Sequence, residues 1–496
     1  MERDLVLAYD IGTSSVKTSI VSGAGEIMAS DKCDYKTSHP TAGISEQNPL
    51  DWWQCVCMTT NDIVKAHPEY TSRVAAIGVS GHMLGSVPVD SGGNPVHPAL
   101  IHSDSRAGAQ FEEIRKKVGA DELYRMSGNV LDARSSLCKM LWFKEERPEL
   151  YAKTAKFLQS KDFLVSKLTG NIDTTDYSDA CHGELMDVRK KAYDSSLYAE
   201  LGLEPAKLPS LHAGMDIVGH LTGEAARVLG LTEGIPVIAG GGDGACADIG
   251  AGNVNTGDTY CSLGTTAWLS RCVEEPYLDA QKRVFHIMSL DGVHCSLFGT
   301  MQSAGGALKW VMSILGTEDL DEFNRLAAQA APGSDGLIFL PYLDGERSPV
   351  FDAQARGTFF GLSLSHTRPH FMRATFEGVA YALNSILRVF EEQGKSEQIR
   401  IIGGGANSAL WKQIMADVWK TPVAALNASA NDSTSLGVAA AAGAAAGLFG
   451  SLREATDYIK VKNVTEPSRE QQSYEKYFAV YQKLYEDLKE EMHALS

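Results

Sequence analysis

Three short segments carry residues that could handle a phosphate group or a proton. Asp10-Ile11-Gly12-Thr13-Ser14-Ser15-Val16-Lys17 ends an apolar stretch with a carboxylate and follows it with a turn of small residues. Backbone N–H groups and hydroxyls in such a turn can wrap phosphate oxygens, and glycine allows the close approach. The octet is not a Walker A loop: counting from Gly12, Lys17 stands where that motif has its second glycine and Thr18 where it has its lysine. Read alone it is equally an ordinary hairpin turn. Gly240-Gly241-Gly242-Asp243-Gly244-Ala245 sets an acid between glycines after an apolar segment, Pro236 to Ala239. An Asp so placed could face a cleft and deprotonate a hydroxyl, or it could cap a following helix. Gly403-Gly404-Gly405-Ala406-Asn407-Ser408 follows the strand-like Arg400-Ile401-Ile402 and suits a nucleotide's phosphate or base edge, although a lone glycine run is weak evidence.

These segments need strands to hold them. Leu5 to Tyr9, Val16 to Val21 and Glu26 to Ser30 alternate as strands do, with Gly12 and Gly23-Ala24-Gly25 at the breaks, which predicts an antiparallel meander. A dinucleotide fold is excluded because the β-branched Thr18-Ser19-Ile20-Val21 follows the loop where that fold needs a helix. Arg73 to Val79 and Pro236 to Ala239 read as buried strands, and Glu112 to Lys117 and Lys139 to Glu146 as helices. A second meander, Thr259 to Leu263 and Ala267 to Val273, flanks Gly264-Thr265-Thr266, so the opening motif recurs half a chain later. The recurrence predicts a duplicated α/β fold with two facing lobes. Gly240 to Gly252 reads as the hinge between them. Helices are expected over Arg368 to Phe390, Ser408 to Lys420 and Ser435 to Phe449. Charged, Tyr-rich helices then run to the end, the last capped by Ser468 and packed on the outer face.

With 496 residues the chain is long enough for two or three cores, and 44% hydrophobic with 22% charged residues is an ordinary globular composition. The 62 acidic against 45 basic side chains give a net charge of −17, which disfavours nucleic acid and anionic membranes as partners and points to a small molecule. Nine scattered cysteines suggest neither a disulfide framework nor a zinc site. Met1-Glu2-Arg3-Asp4 begins no signal peptide, and the longest apolar segment, Leu436 to Phe449, is too short to span a membrane. The expected location is cytoplasmic.

Several ordered motifs make the chain resemble the FGGY carbohydrate kinases, members of the actin, hexokinase and Hsp70 ATPase fold. They are Asp10-Ile11-Gly12-Thr13-Ser14, Ser45-Glu46-Gln47 with Trp52-Trp53, Lys139-Met140-Leu141-Trp142, Gly241-Gly242-Asp243 and Ser262-Leu263-Gly264-Thr265-Thr266. Leu340-Pro341-Tyr342-Leu343 with Gly345-Glu346-Arg347, and Gly403-Gly404-Gly405-Ala406, complete the order. Gly357 to Glu377 fits the family's second signature, and the likeness runs from Leu5 to about Phe449. It implies two ribonuclease H-like lobes with the active site in the cleft between them: residues 1–250 holding the sugar and the first phosphate loop, 251–450 holding the nucleotide, and 451–496 a helical tail on the second lobe.

The resemblance also assigns roles. ATP phosphates would be held by Gly12, Thr13, Ser14, Ser15 and Lys17 and by the matching Gly264, Thr265 and Thr266, with Gly305, Gly306, Gly404, Gly405, Ala406 and Asn407 flanking the α-phosphate and adenosine. Asp10 would position Mg²⁺, with Asp243 nearby as a second ligand and as the base that takes the proton of the attacking sugar hydroxyl. The sugar would meet His82, Met83, Asp104, Arg106 and Asp243. Here the sequence departs from members that act on xylulose, whose Gln-Met-His run becomes His82-Met83-Leu84. An Asn after the base becomes Gly244, and a Trp before the Asp-x-Arg pair is missing from Ile101-His102-Ser103-Asp104-Ser105-Arg106. His82 is therefore either a sugar contact or a core or surface histidine.

The expected activity is transfer of the γ-phosphate of ATP to a terminal hydroxyl of a ketopentose or related polyol, D-xylulose first, by a possible homodimer. Another pentulose, tetritol, pentitol or sugar acid is the alternative within enzymes. A nucleotide-driven switch of the actin or Hsp70 kind is the alternative outside them.

Overall fold

In the computed structural model, residues 3–427 and 430–495 are described; Met1 and Glu2, the start of the stretch read for a targeting signal, lie outside them. Leu5–Ile11 is buried on both faces, so it requires a covering layer on each side. It pairs antiparallel with Ser15–Ser22, Asp10 opposite Lys17, and Ser15–Ser22 pairs antiparallel with Ile27–Asp34. On its other edge Leu5–Ile11 runs parallel to Val74–Gly81, and Pro236–Ile238 and Ile217–His220 extend this first sheet. Helix Pro49–Ala66 begins after Asn48, whose side chain accepts the N–H of Leu50, and it packs Trp52, Val56 and Ile63 against Leu5, Leu7 and Tyr9. The opposite face, Val6 and Ala8, is covered by Val438 to Ala442 of the helix Ala430–Ala445.

The second sheet repeats this topology. Thr259–Leu263 pairs antiparallel with Ala267–Val273, that strand pairs antiparallel with Cys295–Met301, and Thr259–Leu263 runs parallel to Ile399–Ile402. The duplication expected from the two meanders is thus present in strand order, direction and the placing of both turns. Helices Arg368–Phe390 and Ala409–Trp419 pack on this sheet, together with the long terminal helix Gln471–Ala494.

Four expectations are corrected. Gly240 to Gly252 is no open hinge: Gly241–Gly242 pairs with Val74–Gly81 and Asp243–Gly250 is a helix. Its glycines serve contact rather than bending. A Cβ on Gly250 would run into the Ser433 carbonyl and one on Gly437 into the Cys246 carbonyl, so the helices Asp243–Gly250 and Ala430–Ala445 touch backbone to backbone between the lobes. The tail contributes an edge strand as well as a helix, Val461–Thr465 paired antiparallel with Val423–Leu426. Ser468 does not cap the terminal helix, because its hydroxyl and N–H are engaged by the Asp417 carboxylate. Finally, Cys33 and Cys55 form a disulfide between a sheet-edge strand and the helix laid across it, 22 residues apart in sequence. No described helix is long and apolar enough to cross a membrane.

Candidate active site between the lobes

The two small-residue turns are built alike. Gly12 N–H donates to Ser15 O at 3.0 Å, and Gly264 N–H to Thr266 O at 3.0 Å. The first turn is tied back through its carbonyls: Tyr35 O–H donates to Gly12 O, and Gln47 Nε2 donates to Thr13 O at 2.7 Å. Trp52 Nε1 fixes Gln47 in turn at 3.0 Å. Thr13 and Ser14 are left exposed, with hydroxyls available to an anion. The second turn is the meeting point of the other glycine segments. Gly305 and Gly306 donate their N–H groups to Gly264 O and Thr265 O, both at 2.9 Å. Gly403 and Gly405 lie against Leu263, at the end of the strand that leads into the turn. Ala406 and Asn407 complete the short turn that begins at Gly404. Lys17 is committed elsewhere in this state: its amine pairs with Asp432 of the helix Ala430–Ala445, linking the lobes.

Asp10 and Asp243 come together at the base of the cleft. Burial pushes the Asp10 carboxyl up to about 7, helped by the charge of Asp243 and opposed by Lys17. Burial lifts Asp243 to about 6 against the hydrogen bond it accepts from Gly244 N–H at 2.8 Å. Asp243 opens the helix Asp243–Gly250, where the N-terminal dipole favours its charged form. The capping reading of Asp243 is corrected: Gly242 is the N-cap, no side chain caps the helix, and Asp243 is its first residue, beside Asp10. Two buried carboxyls, Asp10 raised further by the charge of Asp243, form a site that a divalent cation relieves, so the pair fits Mg²⁺, which takes one or two carboxylates and keeps several waters. No group of three metal-ligating side chains occurs among the described residues.

The turn that carries Asp243 is held from the first lobe. Gly242 N–H donates to Ser178 Oγ at 2.9 Å, in the helix Tyr177–His182 that Asp176 caps. Behind it Lys161 is fully buried with Asp162, with Asp176 at 3.0 Å and with Asp179 at 3.4 Å. Met83 packs directly on Gly242. His82 is buried beside Trp52, ring centroids 5.3 Å apart, and neither ring nitrogen has a hydrogen-bond partner among the described residues. Burial, with His102 and Lys139 nearby, lowers it to about 3, so it is neutral. Asp104 and Arg106 are occupied with each other, Nη2 to Oδ2 at 2.7 Å. Arg106 also pairs with Glu46 at 2.8 Å and Asp104 accepts Ser45 N–H at 2.7 Å, so the two clamp the loop. Lys139, also buried, donates to the carbonyls of Leu84, Ile101 and Arg134 and holds the wall beside them.

A cavity of about 410 Å³ opens between the lobes, walled on one side by Leu84, Asn129 and Glu184 and on the other by Gln302, Glu346 and Arg347. Leu84 replaces the histidine expected at the sugar, and it reaches this cavity. None of the five residues expected to touch sugar, His82, Met83, Asp104, Arg106 and Asp243, lines this cavity; Leu84, next to Met83 in the chain, does, and Met83 packs on Gly242 beside Asp243. Sequence reasoning missed Asn129, His182 and Glu184. No spacing marks them, and their only common signal is polarity within otherwise apolar segments.

Known proteins fall in line with this geometry. The model of the N-terminal domain of the FGGY family of carbohydrate kinases matches residues 5–250, and that of the C-terminal domain matches residues 259–446. A xylulose kinase of Bacillus subtilis is 34% identical, covering 98% of this chain and 97% of its own. A gluconokinase of the same organism is 30% identical, with 84% and 83% covered. The crystal structure of xylulose kinase from Rhodospirillum rubrum superposes with a TM-score of 0.92 at 28% identity, covering 99% of this chain and 100% of that one.

Proposed function

Given that the chain belongs to the FGGY family of carbohydrate kinases, and is an ATP-dependent sugar kinase, we propose that it phosphorylates a terminal hydroxyl of an open-chain sugar, converting D-xylulose to D-xylulose 5-phosphate. The observation that carries this reading is Asp243 at the floor of the interlobe cleft, beside Asp10 and on the same sheet ends as the turn Gly12 to Ser14. The xylulose kinases among the relatives supply the first sugar to try; a gluconokinase among them makes gluconate the second.

In the proposed reaction Asp243 accepts the proton of the sugar hydroxyl as its oxygen attacks the γ-phosphorus, and ADP leaves from the opposite side. Thr13, Ser14, Thr265 and Thr266 donate hydrogen bonds to phosphate oxygens, and Gly305, Gly306, Gly404 and Gly405 let the nucleotide lie close to the backbone. Mg²⁺, held by Asp10 and Asp243, would neutralise phosphate charge. His82 lies too deep for a direct contact with the sugar and supports Trp52 instead. A small-molecule sugar or polyol is the proposed partner besides the nucleotide; the cytoplasm is the proposed location, and a homodimer the proposed assembly.

The test is ADP release over a panel of D-xylulose, other pentuloses, pentitols, glycerol and D-gluconate, with a no-sugar control. Sugar-dependent release led by D-xylulose is expected; equal release without sugar would favour a nucleotide switch and end the reading. Two further outcomes are expected. Since Asp243 and Asp10 are raised to about 6 and about 7, and a base works only when deprotonated, kcat/KM for the sugar should fall as pH drops through that range, the limb belonging to the pair jointly. A Cβ on Gly305 would lie 2.5 Å from Gly264 O, so Gly305→Val must part the two loops. It should lower kcat/KM for ATP by about 10²-fold, measured with ATP varied at saturating sugar.

A further inference from the structure

Two carboxyl groups, one from each lobe, line the interlobe cavity with an oxygen to which nothing donates among the described residues. Glu184 is 3% exposed and its Oε2 has no hydrogen-bond partner. Glu346 is 4% exposed; its Oε1 accepts the N–H groups of Gln302 and Arg347, both at 2.7 Å, while its Oε2 has no partner. Two first-lobe cations lie near Glu184 without pairing with it: Lys139 donates to the carbonyls of Leu84, Ile101 and Arg134, and Arg134 is spent on Asp132 through two hydrogen bonds of 2.7 and 2.6 Å. The Ser135 hydroxyl supports the Glu184 carboxyl, with weaker help from the charges of Lys139 and Arg134.

A buried acceptor left unmet costs about 1–3 kcal/mol, so such groups call for an explanation in a ligand or a water. The backbone gives a second sign. Glu184 has φ 54° and Leu84 has φ 58°, both in the left-handed region that residues with a side chain rarely enter, and both side chains reach the same cavity. Strain of this kind gathers where a side chain must be aimed at a ligand. The cavity, at about 410 Å³, lies within the range of small-molecule sites.

We infer that Glu184 is a specificity-determining residue for the sugar: its carboxyl group, faced by Glu346 across the cleft, binds hydroxyls of an open-chain sugar or polyol at the wall where Leu84 offers no polar contact. This rests on the kinase reading above. The chemistry suits the ligand, since sugar hydroxyls donate as well as accept. Burial holds Glu184 well above the usual carboxylate range, so near neutral pH its own O–H can donate in return. His182, neutral because burial and the nearby arginines lower it to about 4, has its Nδ1 3.2 Å from Asn129 Oδ1 and its ring stacked on Phe285. With Nδ1–H donating to Asn129, its other nitrogen is an acceptor for the same ligand.

The experiment is a cycle between enzyme and substrate. Sugar-dependent ADP release is measured for the wild type, Glu184→Gln and Glu184→Leu, with D-xylulose, or D-gluconate if that is turned over faster, and with analogues each lacking one hydroxyl. Glu184→Leu should lower kcat/KM for the full sugar about ten- to hundredfold, and Glu184→Gln, which keeps a donor and an acceptor, should recover most of it. One deoxy analogue should lose nothing on either substitution, with KM for ATP unchanged. Equal losses on every analogue, or kcat/KM within twofold of wild type for Glu184→Leu, would overturn the inference and leave the kinase intact. If Glu184→Leu does not fold, the Glu184→Gln cycle decides by the same criterion. A wild type that releases no ADP with any sugar overturns the kinase reading itself, which is a different result.

Discussion

Asp243→Asn is expected to leave ATP affinity within about twofold of wild type and to lower kcat by at least about 10²-fold, the scale of a positioned general base. The substitution is nearly isosteric, and an amide oxygen can still accept the Gly244 N–H that the carboxylate takes at 2.8 Å. The helix Asp243–Gly250 and its contact with Ala430–Ala445 need no rearrangement. What disappears is the proton acceptor. Among the described residues no cation pairs with Asp243, and burial alone lifts it to about 6. It is thus deprotonated at neutral pH yet basic enough to take a proton from an alcohol that is being drawn to phosphorus. Asp10→Asn shares with Asp243→Asn a higher Mg²⁺ requirement, since both carboxylates would hold the ion, but it should keep most of the turnover at saturating Mg²⁺, because the base remains. Nucleotide affinity by calorimetry and single-turnover kinetics separate the two. Turnover of Asp243→Asn within tenfold of wild type would remove Asp243 from the role of base.

The parts of the site read correctly from sequence are those where one residue type does a local job. Leu5–Ile11 and Thr259–Leu263 announce themselves because a central strand buried on both faces must be apolar nearly throughout. The turns after them need small residues whatever the rest of the chain does. Asp243 stands out in the sequence as an acid between glycines, but its surroundings do not: those glycines admit either a flexible loop or a tight helix contact, and only the position of Ser433 and Cys246 decides for the second. Neither of those is near in sequence.

The misses share that cause. Ala430–Ala445 follows the second sheet in the chain but covers Val6 and Ala8 of the first, a pairing set by the whole fold rather than by local pattern. Val461–Thr465 is an exposed edge strand with no apolar alternation to betray it. Cys33 and Cys55 meet because a helix crosses the strand that carries Cys33. Asp104 and Arg106 suit a polar ligand by type, yet their loop brings them onto each other and Glu46. Glu184 is the reverse case: an acid within the apolar run Leu185 and Met186 looks like a surface residue until the cavity places it.

Lys161→Met is expected to destabilise the protein by about 3–5 kcal/mol, the usual result of removing one partner from a buried ion cluster. Lys161 is completely buried, and its ammonium is shared by Asp162, Asp176 and Asp179. Among the described residues nothing hydrogen-bonds to either Asp179 carboxyl oxygen, so without the lysine its charge has no local compensation. The pH dependence distinguishes this cause from lost packing. In the wild type the folded-state pKa of Lys161 is raised above its unfolded value, so its contribution is complete at any pH well below about 10.4. Burial already holds Asp179 well above the usual carboxylate range against the pull of Lys161; in the variant that pull is gone, the folded state binds a proton there more readily still, and stability falls more steeply as pH rises. The deficit, read from urea unfolding, should therefore be largest near neutral pH and shrink on acidification. Adding Asp179→Asn to Lys161→Met should return part of it, since the second change removes an uncompensated charge. A deficit that is independent of pH and unaffected by Asp179→Asn would show that Lys161 acts by filling space. In the first case the damage should also reach turnover, because Asp176 caps the helix whose Ser178 receives the Gly242 N–H and so fixes the turn that presents Asp243.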